Sequence, residues 1–197
     1  MQNTGARFID FGRIACRRIG AQGVWNDAES DWRPDRAGDF AAGPATAASI
    51  DADGAQKLGA SGLPIPRFAS LGASQVYMRT GPDQSYPVSW IYTRPELPVE
   101  IIQEYGPWRR VRDLDGTEGW MNGNLLTDRR NGIVRGGIRN LYSAPKPDSP
   151  RVWRVEPGVI GRLVVCEDSW CQLSVDGKTG WIVRDQVWGT YPGENFN

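Results

Sequence analysis

From Arg67 onward the chain alternates apolar and polar positions in short runs: QVYMR (75–79), SWIY (89–92), PVEIIQEY (98–105), WRRVRD (108–113) and EGWMN (118–122). Between them stand TGPDQSYP, YGP and DLDGT. Runs rich in Val, Ile, Tyr and Trp, bounded by Gly, Pro and Asp, predict short strands joined by tight turns in a small barrel or sandwich. No long window carries a helical stripe. Residues 1–66 differ: they show no sustained period, and 37–66 hold few large apolar side chains. Such a segment buries too little surface to offset its ordering entropy. The expectation is a mostly disordered leader and linker, with room for a short helix around Phe8–Arg18.

The strand pattern then recurs. Met78–Pro82 (MRTGP) corresponds to Leu141–Pro145 (LYSAP), and Trp90 to Trp153, both 63 residues apart. Ile101-Ile102 and Trp108 return as Leu163-Val164 and Trp170 after 62 residues, and DGTEGW (115–120) as DGKTGW (176–181) after 61. A repeat of about 60 residues indicates two copies of one small domain rather than a solenoid of short units. The expected units are 67–127 and 133–193. The joint at 128–136 is too short for free tumbling, so the two should touch.

Composition narrows the chemistry. Of 197 residues, 24 are Gly, 14 Pro and 9 Trp, which suits an all-β chain of short strands and many turns. Histidine is absent. Ser-His-Asp and Cys-His nucleophilic machinery therefore cannot be assembled, and a zinc site would lack its usual imidazoles. Lysine or carboxylate catalysis needs a convergent site, and none is visible, so the chain is read as no enzyme, with no cofactor and no metal. The 23 Lys and Arg balance 23 Asp and Glu, giving no drive toward nucleic acid. No run approaches the roughly 20 apolar residues of a membrane-spanning helix. Charges at Arg7, Asp10, Arg13, Arg17 and Arg18 interrupt every candidate signal-peptide core. Cys16 reads as a lone thiol.

The repeated motifs resemble the bacterial SH3-like (SH3b) domain family. The first repeat carries Arg79-Thr80-Gly81-Pro82, then Tyr86-Pro87, LPVEII, WRRVR and DGTEGW. The second keeps PGVIGRL, the Trp pair and a YPGE ending, but has Tyr142 for Arg79 and Ala144 for Gly81. The resemblance implies two tandem, partly open β-barrels of five or six short antiparallel strands, no cofactor, and a role in the cell envelope. If the Arg-Gly turn carries ligand contacts, it implies that the second domain does not bind.

Four tryptophans flank the DG turns: Trp108 and Trp120, Trp170 and Trp181. Trp120 and Trp181, each after a Gly in the last hairpin, are expected in the core, and Trp108 and Trp170 partly exposed. Tyr77, Tyr86, Trp90 and Tyr92 gather near the first long loop. There they form either a flat shelf for an extended peptide or sugar, or a seal between the repeats. Cys166 and Cys171 bracket EDSW. A four-residue hairpin loop would set them opposite one another within disulfide reach, so a disulfide and two free thiols are both open. Their counterparts are Glu104 and Arg109, an opposite-charge pair at the same two positions. The arginines at 109, 110, 112, 129 and 130 are interleaved with acids and read as a mixed-charge surface.

The functional expectation is a non-enzymatic binding module. It would recognise cell-wall peptide, peptidoglycan or an envelope protein through a groove of Tyr77, Arg79, Tyr86, Trp90, Trp108 and Trp120 in the first barrel. The alternative is a structural or assembly protein using the paired barrels as a rigid scaffold. A disulfide and the resemblance favour the periplasm or envelope. The missing signal peptide favours the cytoplasm.

Overall fold

The computed structural model describes residues 57–196 together with two three-residue strands, β1 (Arg7–Ile9) and β2 (Cys16–Arg18). The first repeat forms β3 (Arg67–Leu71), β4 (Val76–Arg79), β5 (Val88–Tyr92), β6 (Pro98–Tyr105), β7 (Trp108–Arg112), β8 (Glu118–Asn122) and β9 (Leu126–Thr127). The second forms β10 (Asn131–Val134), β11 (Arg139–Tyr142), β12 (Arg151–Val155), β13 (Ile160–Glu167), β14 (Trp170–Val175), β15 (Lys178–Val183) and β16 (Val187–Trp188). A single 3₁₀ turn precedes each final strand, at Gly123–Leu125 and Arg184–Gln186.

The strand order in space is β5-β4-β8-β7-β6-β3-β9 in one sheet and β12-β11-β15-β14-β13-β10-β16 in the other, the same path twice. Pairing within each repeat is antiparallel. β2 lies antiparallel beside β5, and β1 parallel beside β12. Both long central strands carry a bulge at the matching place, between Ile101 and Gln103 and between Leu163 and Val165. The extra residue bends each sheet over its own core. The barrels expected from the resemblance do not close. The two ends of each sheet do not pair with one another, because β9 and β16 are two residues long and bond only to β3 and β10. The result is two curled, open sheets.

Strand parity decides the cores. Met78, Val99, Val111 and Met121 fill the first, and Leu141, Val155, Leu173 and Ile182 the second. Gly119 and Gly180 face inward beside Met121 and Ile182, and a Cβ on either would run into Met78 or Leu141. Their partners Trp120 and Trp181 therefore point outward and are half-buried, contrary to expectation.

Three further expectations change. Residues 57–66, whose composition suggested disorder, fold into a strap. Leu58 bridges Pro64, the Ile65 N–H donates to the Lys57 carbonyl at 2.9 Å, and Ile65 is buried in the first core. The helix expected around Phe8–Arg18 is replaced at both ends by β1 and β2, and the remainder of 1–56 lies outside the described residues. The loop between β13 and β14 has two residues rather than four, because Glu167 and Trp170 extend the ladder and Asp168 takes a positive φ of 46°.

The joint is itself a strand. β10 bonds to β13 and β16 of the second sheet, while its Ile133 belongs to the first core. The repeats touch, but not through the aromatics of the first loop. Phe68 meets Trp188 edge-on at 5.0 Å and Tyr191 at 4.7 Å between ring centroids. Arg130 forms a two-pronged ion pair with Glu194 at 2.8 Å and lies over the Phe196 ring at 4.7 Å. Arg94 donates to the Gly158 carbonyl at 3.1 Å.

Candidate functional site

The first sheet carries an open cleft of about 400 Å³ lined by Tyr77, Arg79, Gln84, Trp108, Asn122, Asn124 and Leu125. Tyr77 and Arg79 sit one turn of the pleat apart on the outer face of β4, whose alternate residues Val76 and Met78 are in the core. Trp108 opens β7 and is 8% exposed, more buried than expected. The 3₁₀ turn explains this: it folds back beside Trp108, with the Gly123 N–H donating to the Pro107 carbonyl at 2.8 Å. The Asn122 side chain shapes the turn by accepting from the Asn124 N–H at 3.0 Å.

The loop after β4 holds Arg79 in place. Its Nη1 donates to the Tyr86 carbonyl at 2.7 Å. The Tyr86 ring lies so close over Gly81 that a Cβ there would sit 2.5 Å from it. That contact explains the glycine, because a methyl group would displace the ring. Asp83 turns its carboxylate back to the Ser85 N–H at 2.8 Å, which holds its pKa below the usual carboxylate value.

Of the six groove candidates, Tyr77, Arg79 and Trp108 share the cleft. Trp120 is the ladder partner of Arg79 and lies beside it. Tyr86 contributes its carbonyl and its ring to the loop. Trp90 is on the other side: it pairs with Met78 and packs against the core. Gln84, Asn122, Asn124 and Leu125 were not singled out from sequence; alternation from Trp120 was the signal that could have found Asn122.

A second cleft, of about 290 Å³, runs between the sheets along Phe68, Glu100, Trp188 and Tyr191. Its polar groups are largely occupied. Glu100 accepts from the Tyr191 hydroxyl at 2.9 Å and from Arg112 at 3.4 Å. Burial, with Glu100 beside it, pushes the Tyr191 hydroxyl far above the normal tyrosine range. Buried Arg184 donates to the carbonyls of Tyr191 and Glu194. Among the described residues no cluster of His, Cys, Asp or Glu could hold a metal, and no helix is long and apolar enough to cross a membrane.

The two cysteines form a disulfide. Cys166 and Cys171 are ladder partners with Cα atoms 4.1 Å apart, and both are fully buried. The backbone of Cys166 bonds instead to Phe196 of the C-terminal tail. In the first sheet Glu104 and Arg109 are partners in the same register, 3.2 Å apart. The buried Glu104 carboxylate also takes Arg67 at 2.7 Å and the Ser61 N–H and hydroxyl at 2.7 and 2.8 Å. Burial alone would raise its pKa; the Ser61 and Arg67 bonds outweigh it and hold the group below its usual value. Arg110 and Arg112 pair with Glu118, giving a mixed-charge surface.

The family model described as the bacterial SH3 domain matches residues 72–128 and again 136–189, more than half of the chain. The chain belongs to the bacterial SH3 domain family, a binding module, and carries two copies in tandem. Solved structures similar to it include an NlpC/P60 family protein from Bacillus cereus ATCC 10987, with 13% identity over 61% of this chain and 55% of that one and a TM-score of 0.28. NlpC2 and NlpC1 from Trichomonas vaginalis are both 18% identical, covering 62% and 66% of this chain and 48% of each of those, with TM-scores of 0.29 and 0.30. The chain thus spans about half the length of these proteins. No curated protein matches it at a significant level.

Proposed function

We propose that this chain is a non-enzymatic, envelope-associated binding module that takes a cell-wall peptide or a protein partner in the groove of its first sheet. The observation that carries this reading is the grouping of Tyr77, Arg79 and Trp108 around one open cleft on a bacterial SH3 domain. The exposed Tyr77 ring offers apolar area at small entropic cost, the largely buried Trp108 forms part of the groove wall, and the flanking Asn and Gln offer amides to a peptide backbone. The second sheet lacks this groove chemistry: Tyr142 takes the place of Arg79 and packs edge-on against Trp170 at 5.6 Å. The disulfide favours an oxidising compartment, in keeping with the envelope.

The test is retention on purified peptidoglycan and on immobilised envelope extract. Tyr77→Ala and Trp108→Phe should both reduce retention, and Ile138→Ala, at an exposed position just before β11 of the second repeat, should not. Equal retention of all four proteins would remove the groove. The sealed contact between the sheets supports a second reading, a rigid scaffold: Phe68, Trp188, Tyr191 and the Arg130–Glu194 pair would then fix the distance between two attachment points.

A further inference from the structure

Arg79 is placed differently from the ion-paired arginines around it. Arg67 and Arg109 are paired with Glu104, Arg110 and Arg112 with Glu118, Arg129 with Glu96 and Arg130 with Glu194. Among the described residues no carboxylate lies within ion-pair distance of Arg79. Its one hydrogen bond, from Nη1 to the Tyr86 carbonyl, orients the guanidinium while leaving Nε and Nη2 without a protein acceptor among the described residues. The groove it lines contains no acidic residue: its neighbours there are Tyr77, Gln84, Trp108, Asn122, Asn124 and Leu125. The nearest loop acid, Asp83, feels the charge of Arg79 but turns its carboxylate to Ser85. Arg94 also lacks a carboxylate, but it donates to the Gly158 carbonyl of the second repeat and lies outside the groove; Arg79 is the cation that its own loop holds in a groove of rings and amides with no anion beside it.

We infer that Arg79 is the specificity-determining residue of this groove, and that it receives a carboxylate of the bound peptide. This rests on the groove reading above. A guanidinium presents parallel N–H donors that match the two oxygens of a carboxylate, and such charge-assisted bonds are about twice as strong as neutral ones. The apolar part of the same ligand residue would lie against Tyr77 and Trp108. The second sheet bears on the assignment from the opposite side: it has Tyr142 at this position, packed against Trp170, so the contact assigned to Arg79 has no counterpart there.

The experiment compares full-length protein on two preparations of purified peptidoglycan, one native and one whose carboxylates have been converted to neutral methylamides with a carbodiimide. Wild type should bind the amidated material about tenfold more weakly, the loss expected for one charge-assisted contact. Arg79→Gln should bind the native material about as weakly and lose nothing further on amidation, with Arg79→Lys between the two. Unchanged thermal unfolding of Arg79→Gln checks that its loop is intact. If wild type holds both preparations equally while Tyr77→Ala weakens both, the carboxylate inference is wrong and the groove stands. If amidation weakens wild type and Arg79→Gln by the same factor, the carboxylate is read elsewhere and the assignment to Arg79 falls. If wild type binds neither preparation, the cell-wall peptide falls as the ligand and the carboxylate inference with it; if Tyr77→Ala binds both as well as wild type does, the groove reading itself fails. Isolated peptides ending in a free carboxylate or an amide, and peptides with Glu or Gln inside, then separate a chain terminus from an acidic side chain as the source.

Discussion

The two sheets follow one path in space, yet they link the same pair of positions by different chemistry. At the end of the long central hairpin, the first sheet sets Glu104 against Arg109 and the second sets Cys166 against Cys171. In both, the first residue of the pair also holds a segment from outside the repeat. Glu104 takes the strap through Ser61, and Cys166 takes the tail through the backbone of Phe196. A cross-strand position can therefore serve as an anchor as well as a staple. The ionic version donates its spare acceptor capacity outward. The covalent version has none to spare on its side chains, and offers its backbone instead, because its N–H and C=O are not used toward Cys171. The long loops diverge in a coupled way too. Gly81 sits under the Tyr86 ring, whereas Ala144 accompanies Ser149, whose hydroxyl bonds the Ala144 carbonyl at 2.8 Å.

The largest effect should come from the ionic anchor. Glu104→Ala removes the carboxylate from Arg67 and Arg109, which keep only backbone carbonyls, and from Ser61, and should cost about 3 kcal/mol, with the strap released first; urea unfolding gives the total, and amide exchange at Ser61 and Ile65 the order. If the strap stays protected, the anchor role is wrong. Reduction of Cys166–Cys171 should cost about 2 kcal/mol, small because the closed loop is short. Its exchange signature should appear at Phe196 and β14 while the first sheet is unchanged; denaturation with and without reductant reads it. Acid separates the anchors further. Glu104 and Glu194 both have folded pKa values below their ordinary 4.5. Each thus contributes stability that is complete above the ordinary value and is lost as pH falls through the lower folded one. Below about pH 4.5 the strap and the Arg130-bound tail should loosen, and Glu104→Gln should remove the strap's part of this dependence, visible in melting temperature against pH. The smallest net change belongs to a transplant: Glu104→Cys with Arg109→Cys should form a disulfide on oxidation, shifting stability by less than about 1 kcal/mol, since the new cross-link offsets the lost ion pairs. Failure to oxidise, seen by mass, would show that the two hairpin ends are not equivalent.

Much of this was legible from the chain. The repeat offsets placed β11 to β15 on β4 to β8, though not β10, which was read as a joint, and the Cys166–Cys171 pairing followed from hairpin arithmetic. What was misread has physical causes. Trp120 and Trp181 were put inside because tryptophan is large and apolar, but parity along β8 and β15 had already given the inward places to Gly119 and Met121, and to Gly180 and Ile182. Trp108 was put outside because it follows a turn, and its cover is a 3₁₀ turn fifteen or so residues later that no local pattern announces. The strap was read as disordered from composition. Its order depends on one long-range acceptor, Glu104, and on burial of Ile65. The seal between the sheets was missed because Phe68, Trp188 and Tyr191 sit at the margins of their repeats, where periodicity is weakest.

One consequence of β10 concerns modularity. The duplication reads in sequence as two cassettes, and a cut anywhere in 128–136 looks harmless. But the strand in that joint gives its hydrogen bonds to one repeat and Ile133 to the other, so a cut there leaves the second sheet without a strand or the first core without a wall. A family member assembled this way cannot be shuffled by single repeats: its unit of inheritance, and of expression in the laboratory, is the pair.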